Sequence, residues 1–392
     1  MSFIPRPYQQ EAVDAGINFF HSKTKKNGII IAPTGSGKSL IIALIAMGLE
    51  GKTIIFQPSL EILQQNYAKF ISYGYRAAVY SASAGQKTIH NVTFATIGSV
   101  ANKHHLFRDV KNIIIDECHL VSADAGMYND FIESFAQGKK KGKEVVKVLG
   151  LTATPYRLVS GSGGAELRFL TRSVPRIFNE VLYYIQNDLL FNNGYLAKLE
   201  YYSFDYVDRT QLQMNKSGTD FTEQSIQKLY SRIDMIGQTA STANRLLAKR
   251  KNLLVFCSLI SEAEKVAHRV PGAVVLTGKT DKSKREKILR QFKAGVIKCV
   301  INVGVLTTGF DYPELECVLM ARSTMSLAIY YQIVGRAMRP HPDKESAWIV
   351  DLGGNVKFFG KIETMRIQQT NTGLYYISNN GRQLTNVAFT KK

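Results

Sequence analysis

The stretch that most limits how this 392-residue chain can fold runs from Gly28 to Leu49. Gly28-Ile29-Ile30-Ile31-Ala32 is a short apolar run that predicts a buried strand, and residues 40–49 read as the helix after it. Between them stands Ala32-Pro33-Thr34-Gly35-Ser36-Gly37-Lys38-Ser39. A glycine-rich loop that leaves a strand and opens a helix lets backbone N–H groups approach phosphates, and the helix N-terminus adds positive potential. The spacing assigns Lys38 to the β- and γ-phosphates and Ser39 to Mg²⁺, with Thr34, Gly35, Ser36 and Gly37 forming the cradle. The consensus opens on Gly where this chain has Ala32, and the strand–loop–helix order supplies the context the pattern demands.

The same alternation continues. Residues 53–56, 92–95, 112–115 and 145–151 are further apolar runs, and the βαβ rhythm predicts a parallel, doubly wound sheet. It breaks after Pro155, passes through Gly161-Ser162-Gly163-Gly164 and an aromatic-rich stretch over 183–206, then resumes at 252–256, 273–276, 298–302, 316–320 and 347–351. This predicts an α/β chain of two tandem domains. Residues 1–200 form the first, 201–240 a connector, 241–355 the second, and 356–392 a tail whose role the sequence leaves open.

Lys plus Arg number 50 against 31 Asp plus Glu, a net charge of +19. A surplus of that size points to a polyanionic partner, because Lys and Arg displace counterions condensed on phosphates. The four cysteines, Cys118, Cys257, Cys299 and Cys317, include no C-x-x-C pair, so buried reduced thiols are expected rather than a zinc site. The first residues have no apolar signal core, and the longest apolar stretch, 41–49, is too short to span a bilayer. A cytoplasmic protein with no membrane anchor, monomeric, is the expectation.

A second element is Asn112-Ile113-Ile114-Ile115-Asp116-Glu117-Cys118-His119. A strand ending in two acids sets both carboxylates at the carboxyl edge of the sheet, where open α/β sheets bind ligands. Paired with Lys38, Asp116 becomes a candidate Mg²⁺ holder, partly through water, and Glu117 the residue that polarises the attacking water.

These residues resemble the motifs of superfamily 2 DExH-box helicases, whose fold is two RecA-like P-loop domains with a nucleotide cleft between them. Asp116-Glu117-Cys118-His119 resembles the DExH box itself. Arg6-Pro7-Tyr8-Gln9 resembles the upstream Q-type motif, which makes Gln9 the adenine reader, beside Arg6. Thr152-Ala153-Thr154 resembles motif III, so Thr152 and Thr154, with His119, would couple the nucleotide to the nucleic-acid site. Gln332-Ile333-Val334-Gly335-Arg336-Ala337-Met338-Arg339 resembles motif VI. Arg336 and Arg339 are spaced one helical turn apart and would reach the γ-phosphate from one helix face, with Gln332 on phosphate or water. The stretch 302–311 resembles motif V and implies Gly309 and Asp311 near the nucleotide, Thr307 and Thr308 near the nucleic-acid backbone. By the same resemblance Pro58, Ser59, Thr96, Gly98, Ser99, Ser258, Thr277 and Gly278 belong to backbone-contacting loops. Short hydroxyl residues suit that task, since they bond phosphate without reading sequence.

The resemblance runs over about residues 5–355 and is nearest the compact XPB/UvsW-like DNA helicases, of phage recombination or branch-migration type. It implies an ATP- and Mg²⁺-dependent motor acting on single-stranded, forked or branched DNA. The same motifs also suit an RNA helicase, a double-strand translocase that does not unwind, or an ATP-gated binding module. Lys139-Lys140-Lys141-Gly142-Lys143 reads as a solvated charge run, His104-His105 as surface, and Tyr183, Tyr184, Tyr195, Tyr201 and Tyr202 as packing residues rather than base-stacking ones.

Overall fold

The computed structural model describes residues 4–121, 126–137, 146–161, 164–216, 218–306 and 310–389. Two compact units divide the chain: Met1–Tyr156 with Phe169–Gln186, and Arg157–Arg168 with Asn187–Lys392.

In chain order the first strands are β1 (Gly28–Ile31), β2 (Lys52–Phe56), β3 (Ala78–Ser81), β4 (Gln86–Lys87), β5 (Val92–Ala95), β6 (Val110–Asp116) and β7 (Lys147–Thr152). The pair β8 (Tyr156–Gly161) and β9 (Gly164–Phe169) follows, and then β10 (Glu180–Tyr184). Among the described residues, eight of these form one sheet in the order β10-β1-β7-β6-β2-β5-β3-β4, with only the β3–β4 pair antiparallel. Strand β1 is Gly-Ile-Ile-Ile and wholly buried, as parallel strands covered on both faces must be. Helices α1 (Pro7–His21), α2 (Lys38–Met47), α3 (Leu60–Ser72), α4 (Ile97–Val100) and α5 (Met127–Gln137) connect them. Parallel register aligns the strand ends: Ile31 pairs with Thr152, Leu151 with Asp116, and Phe56 with both Ile115 and Ala95. The residues just past those ends therefore converge on one edge.

The second unit repeats the plan with α6 (Asn187–Asn192), β11 (Lys198–Ser203), α7 (Glu223–Arg232), α8 (Met235–Leu247), β12 (Leu253–Cys257), α9 (Ile260–Ala267), β13 (Val274–Thr277), α10 (Lys282–Lys293), β14 (Cys299–Val303), β15 (Cys317–Ala321), α11 (Leu327–Gly335), β16 (Ser346–Asp351) and α12 (Asn355–Phe359). Its six-stranded parallel sheet runs β11-β16-β15-β12-β14-β13. The tail adds β17 (Met365–Gln369), β18 (Tyr375–Asn379) and β19 (Arg382–Gln383) as a small antiparallel sheet, and β20 (Ala388–Phe389) pairs with β9.

The expected divisions shift accordingly. The first unit's sheet closes with β10, before residue 200, because β11 pairs in parallel with β16 from Lys198↔Ser346 to Ser203↔Asp351. The expected connector 201–240 holds α7 and the start of α8, whose Ile226, Leu229, Tyr230, Met235 and Ala240 lie in the second unit's core. The tail is tied in as well. Asn187 Nδ2 donates to the Ile362 carbonyl at 3.1 Å, Tyr330 Oη to the Gly360 carbonyl at 2.8 Å, and Tyr201 Oη to Glu363 at 2.7 Å. All four cysteines are buried and unbridged.

Candidate functional site

In the first unit the loop after β1 turns on Gly35 and Gly37, both left-handed at φ of 86° and 83°. Gly37 has a second constraint, because a Cβ there would stand 2.2 Å from Gln9 Nε2. Lys38 and Ser39 open α2, and N–H groups of a first helical turn have no carbonyl of their own helix to bond. Gln9 is buried rather than exposed on α1. Its Nε2 donates to the Ser36 carbonyl at 2.8 Å, and its Oε1 accepts from Arg6 N at 2.9 Å. Tyr8 Oη reaches the same carbonyl at 3.2 Å, and Arg6 Nη1 reaches Tyr8 Oη at 3.3 Å. The upstream motif thus braces the phosphate loop through one backbone oxygen.

Lys38 Nζ bonds Glu117 Oε1 and lies 3.6 Å from Asp116 Oδ1. Burial opposes charge on Lys38, but the two carboxylates outweigh it and hold its pKa above the usual lysine value. Burial raises Asp116, with Glu117's charge adding to it against Lys38. Glu117 goes the other way: burial would raise it, but Lys38 and His119 hold it well below the ordinary carboxylate range. Its backbone is left-handed at φ 49°, which swings the chain off the strand end. His119 Nδ1 lies 2.9 Å from Thr152 Oγ1 and 3.3 Å from Glu117 Oε2, and Thr154 N donates to Thr152 Oγ1 at 3.0 Å. The acids and the Thr-Ala-Thr segment are one bonded network.

A Mg²⁺ ion takes oxygen donors and retains several waters. Ser39 Oγ and the Asp116 carboxylate match that chemistry and share one bridging side chain. Ser39 Oγ donates to Asn66 Oδ1 at 2.8 Å, while Asn66 Nδ2 donates to Asp116 Oδ2 at 3.0 Å and Gln57 Oε1 at 2.9 Å.

The expected backbone-contacting residues of this unit lie on the same carboxyl edge. Pro58 and Ser59 follow β2, and Ser59 caps α3 by accepting from Ile62 N at 3.3 Å. Thr96, Gly98 and Ser99 follow β5. Thr96 and Ser99 hydroxyls bond each other at 2.9 Å, and Ser99 Oγ accepts from Ala82 N at 2.8 Å.

In the second unit Ser258 follows β12 and Thr277 ends β13, with Gly278 exposed beyond it. Thr307, Thr308, Gly309 and the Lys139–Lys143 run lie outside the described residues. Helix α11 ends at Gly335, so Arg336 and Arg339 do not share a helix face as their spacing predicts. The residue before Pro340 is disfavoured in α geometry, which leaves Arg339 beyond the helix. Both remain neighbours of the motif V segment: Arg336 Nη1 donates to the Phe310 carbonyl at 2.5 Å, and Arg339 Nε pairs with Asp311 at 2.9 Å. Gln332 is half-buried on α11, its carbonyl accepting from Arg336 Nε at 3.1 Å.

Residues 2–157 match the family described as type III restriction enzyme, res subunit, and residues 238–341 match the helicase conserved C-terminal domain. A 51.5 kDa protein of Lactococcus phage (isolate 7-9) is 27% identical, covering 82% of this chain and 65% of the relative. The DNA 3′-5′ translocase XPB2 of Sulfurisphaera tokodaii is 24% identical over 88% of this chain and 80% of its own length. The ATP-dependent DNA helicase uvsW of Enterobacteria phage T4 is 24% identical over 89% and 68%. These matches support a superfamily 2 helicase of the XPB/UvsW type. It spans 65%, 51% and 57% of the length of three of its curated relatives. A solved fragment of a putative HsdR subunit of a type I restriction enzyme from Vibrio vulnificus YJ016 shares the fold, with TM-score 0.67 and 21% identity over 92% of this chain and 66% of that one. Both units of this superfamily 2 helicase are RecA-like α/β layers.

Motif reading of the helicase missed Asn66 and Tyr8. Asn66 occupies an inward slot of α3 among Ile62, Leu63 and Phe70. A polar residue in an apolar slot of the helical period was the signal available for it. Tyr8 had no separate signal.

Proposed function

We propose that this helicase-family chain couples ATP hydrolysis to movement on, or remodelling of, DNA. The observation that carries the reading is the joined cluster of Lys38, Asp116 and Glu117 beside the Gly35–Gly37 turn. Lys38 would exchange its carboxylate partners for phosphate oxygens. Ser39 and Asp116 would hold Mg²⁺, with Asn66 keeping them in register; the ion supplies charge neutralisation for the phosphates. Glu117, kept ionised by Lys38 and His119, accepts a proton from the attacking water. Gln9 is the proposed adenine contact, held in place by the phosphate loop it braces. Arg336 and Arg339 are proposed to stabilise charge on the γ-phosphate, a role worth roughly 10³ to 10⁵ in rate where it has been assessed. Each would first leave the intradomain partner it has here, Phe310 O or Asp311. His119, Thr152 and Thr154 are the proposed route by which the acids sense the nucleic-acid edge.

DNA is preferred over RNA because two of the relatives above are named as a DNA translocase and a DNA helicase, and the surplus of basic residues fits either polymer. Among the described residues no helix is long and apolar enough to cross a membrane.

The test is ATP hydrolysis at low salt without nucleic acid and with single-stranded DNA, forked DNA, a four-way junction or RNA. Stimulation by branched DNA that Lys38→Ala abolishes is the expected result. Stimulation by RNA alone overturns the DNA assignment, and a folded protein that no polymer stimulates overturns the motor. Arg339→Ala with full DNA-stimulated turnover would remove the arginine from the proposal.

A further inference from the structure

Helix α10 carries the sequence Lys282-Ser283-Lys284-Arg285-Glu286-Lys287-Ile288-Leu289-Arg290-Gln291-Phe292-Lys293. Lys279, just before it, and Lys298, just after it, extend its charge. Its inward side is short and apolar: Ile288 and Phe292 are buried. Arg285 lies on that side too, half-buried, with its Nη2 donating to the Thr280 carbonyl at 3.3 Å and the Thr277 carbonyl at 3.5 Å. The helix is therefore fixed to the turn holding Thr277 and Gly278. Asp281 caps it, accepting from Ser283 N at 2.9 Å and Lys284 N at 3.3 Å.

The outward side is different in kind. Lys279, Lys282, Lys284, Lys287, Arg290 and Lys298 are all exposed, and among the described residues none makes a side-chain hydrogen bond or an ion pair. Lys293 stands over the Phe310 ring at 5.5 Å. Glu286 is the helix's one acid, Asp281 being spent on the cap. Four unpaired cations on one rigid rod, with Lys279 and Lys298 beyond its two ends, repel each other, a cost that a bound polyanion reverses. Among the described residues, α10 itself exposes no aromatic side chain, as its one ring, Phe292, is buried.

We propose that α10 is a docking rail for the sugar–phosphate backbone of duplex DNA, continuous with the Thr277–Gly278 turn. This rests on the nucleic-acid reading above and adds the surface and the form of the polymer. Twelve residues at about 1.5 Å each give a straight edge of ~18 Å, the length of roughly five base pairs. Sites built for single strands combine positive charge with rings on which bases stack. This surface has charge alone, so it suits a polymer whose bases are already paired and whose outer face is phosphate.

The variant to make is Lys284→Gln/Lys287→Gln/Arg290→Gln, three exposed positions outside the nucleotide machinery. Fluorescence anisotropy would follow binding of a blunt duplex and of an oligothymidylate between about 50 and 200 mM salt. For the duplex, the slope of log K against log salt should fall by roughly 2 to 3, at about 0.9 per lost phosphate contact. The oligothymidylate slope should move by less than about 1, and thermal melting should match the parent. An unchanged duplex slope overturns the rail. Equal losses on both polymers overturn its assignment to duplex. Polyglutamate competing as well as duplex at equal charge would assign the surface to an acidic protein instead. A parent protein that binds no nucleic acid at all defeats the motor reading and the rail with it, whereas an unchanged duplex slope defeats the rail alone.

Discussion

At the scale of single residues, Asn66 joins the two side chains proposed to hold Mg²⁺. Its amide spans Ser39 and Asp116, and a leucine of similar size would strip every one of those bonds. Asn66→Leu should raise the Mg²⁺ concentration for half-maximal hydrolysis by about 10- to 100-fold, the range seen when supporting residues of metal ligands are lost. The unpaired groups left behind should cost about 1–3 kcal/mol of stability. A Mg²⁺ titration with unchanged half-saturation would show that Asn66 does no more than fill α3. Lys344 gives a second case. It is buried, with Nζ donating to the carbonyls of Pro313 at 2.6 Å, Leu315 at 3.2 Å and Ala337 at 3.1 Å. Burial pulls its pKa down to about 8, with Arg339 adding to that and Glu316 opposing it. An unfolded lysine titrates near 10.4, so between these values the unfolded chain binds more protons and folding gains stability as pH rises. The melting temperature of the parent relative to Lys344→Met should therefore climb from about pH 8 to pH 10. A flat difference across that window would show that the buried ammonium carries no such shift.

At the scale of elements, the phosphate loop depends on α1 as well as on its own glycines. Gly37→Ala meets two obstacles, a left-handed φ and the Gln9 amide. The first alone costs roughly 1–2 kcal/mol. A fluorescent ATP analogue should bind at least about tenfold more weakly, since 1.4 kcal/mol is a factor of ten; unaltered binding would mean that the turn can move away from Gln9. The contrast between elements also explains what was legible beforehand. The strand that leads to Lys38 and the strand that ends in Asp116 are short apolar runs followed by diagnostic loops, so strand, loop and role could be read within a few residues of each other. Arg336 and Arg339 were legible as a pair, but their helix ends at Gly335, before both, and Pro340 disfavours helical geometry at Arg339, which a spacing rule ignores. Asn66 and Lys344 do their work through partners far off in sequence, and β10 and β11 take their sheets from pairings with β1 and β16. Such pairings leave little local trace. Nothing within 183–206 says that its two strands separate into different sheets.

At the scale of the whole molecule, the tail belongs to the architecture. Glu363, Ile362 and Gly360 meet Tyr201, Asn187 and Tyr330, and Tyr330 sits on α11, the helix that leads into Arg336. A chain ended at residue 355 should melt well below the parent and expose the second unit to protease, while the first unit's sheet keeps its strands. Limited proteolysis followed by mass analysis would separate those outcomes, and an unchanged melting curve would show the tail to be dispensable.

The route of the chain has a practical result for anyone dissecting it. The family match in the first half stops at residue 157, yet the partner of β1 on its outer side is β10, which arrives only at Glu180. A fragment cut where the match ends would present Gly28–Ile31 as a bare strand edge of three isoleucines and a glycine, with its N–H and C=O groups unpaired. Such an edge recruits a neighbour's strand. The isolated ATP-binding half would then precipitate or pair with itself, and its self-association would be a product of the cut rather than a property of the intact protein.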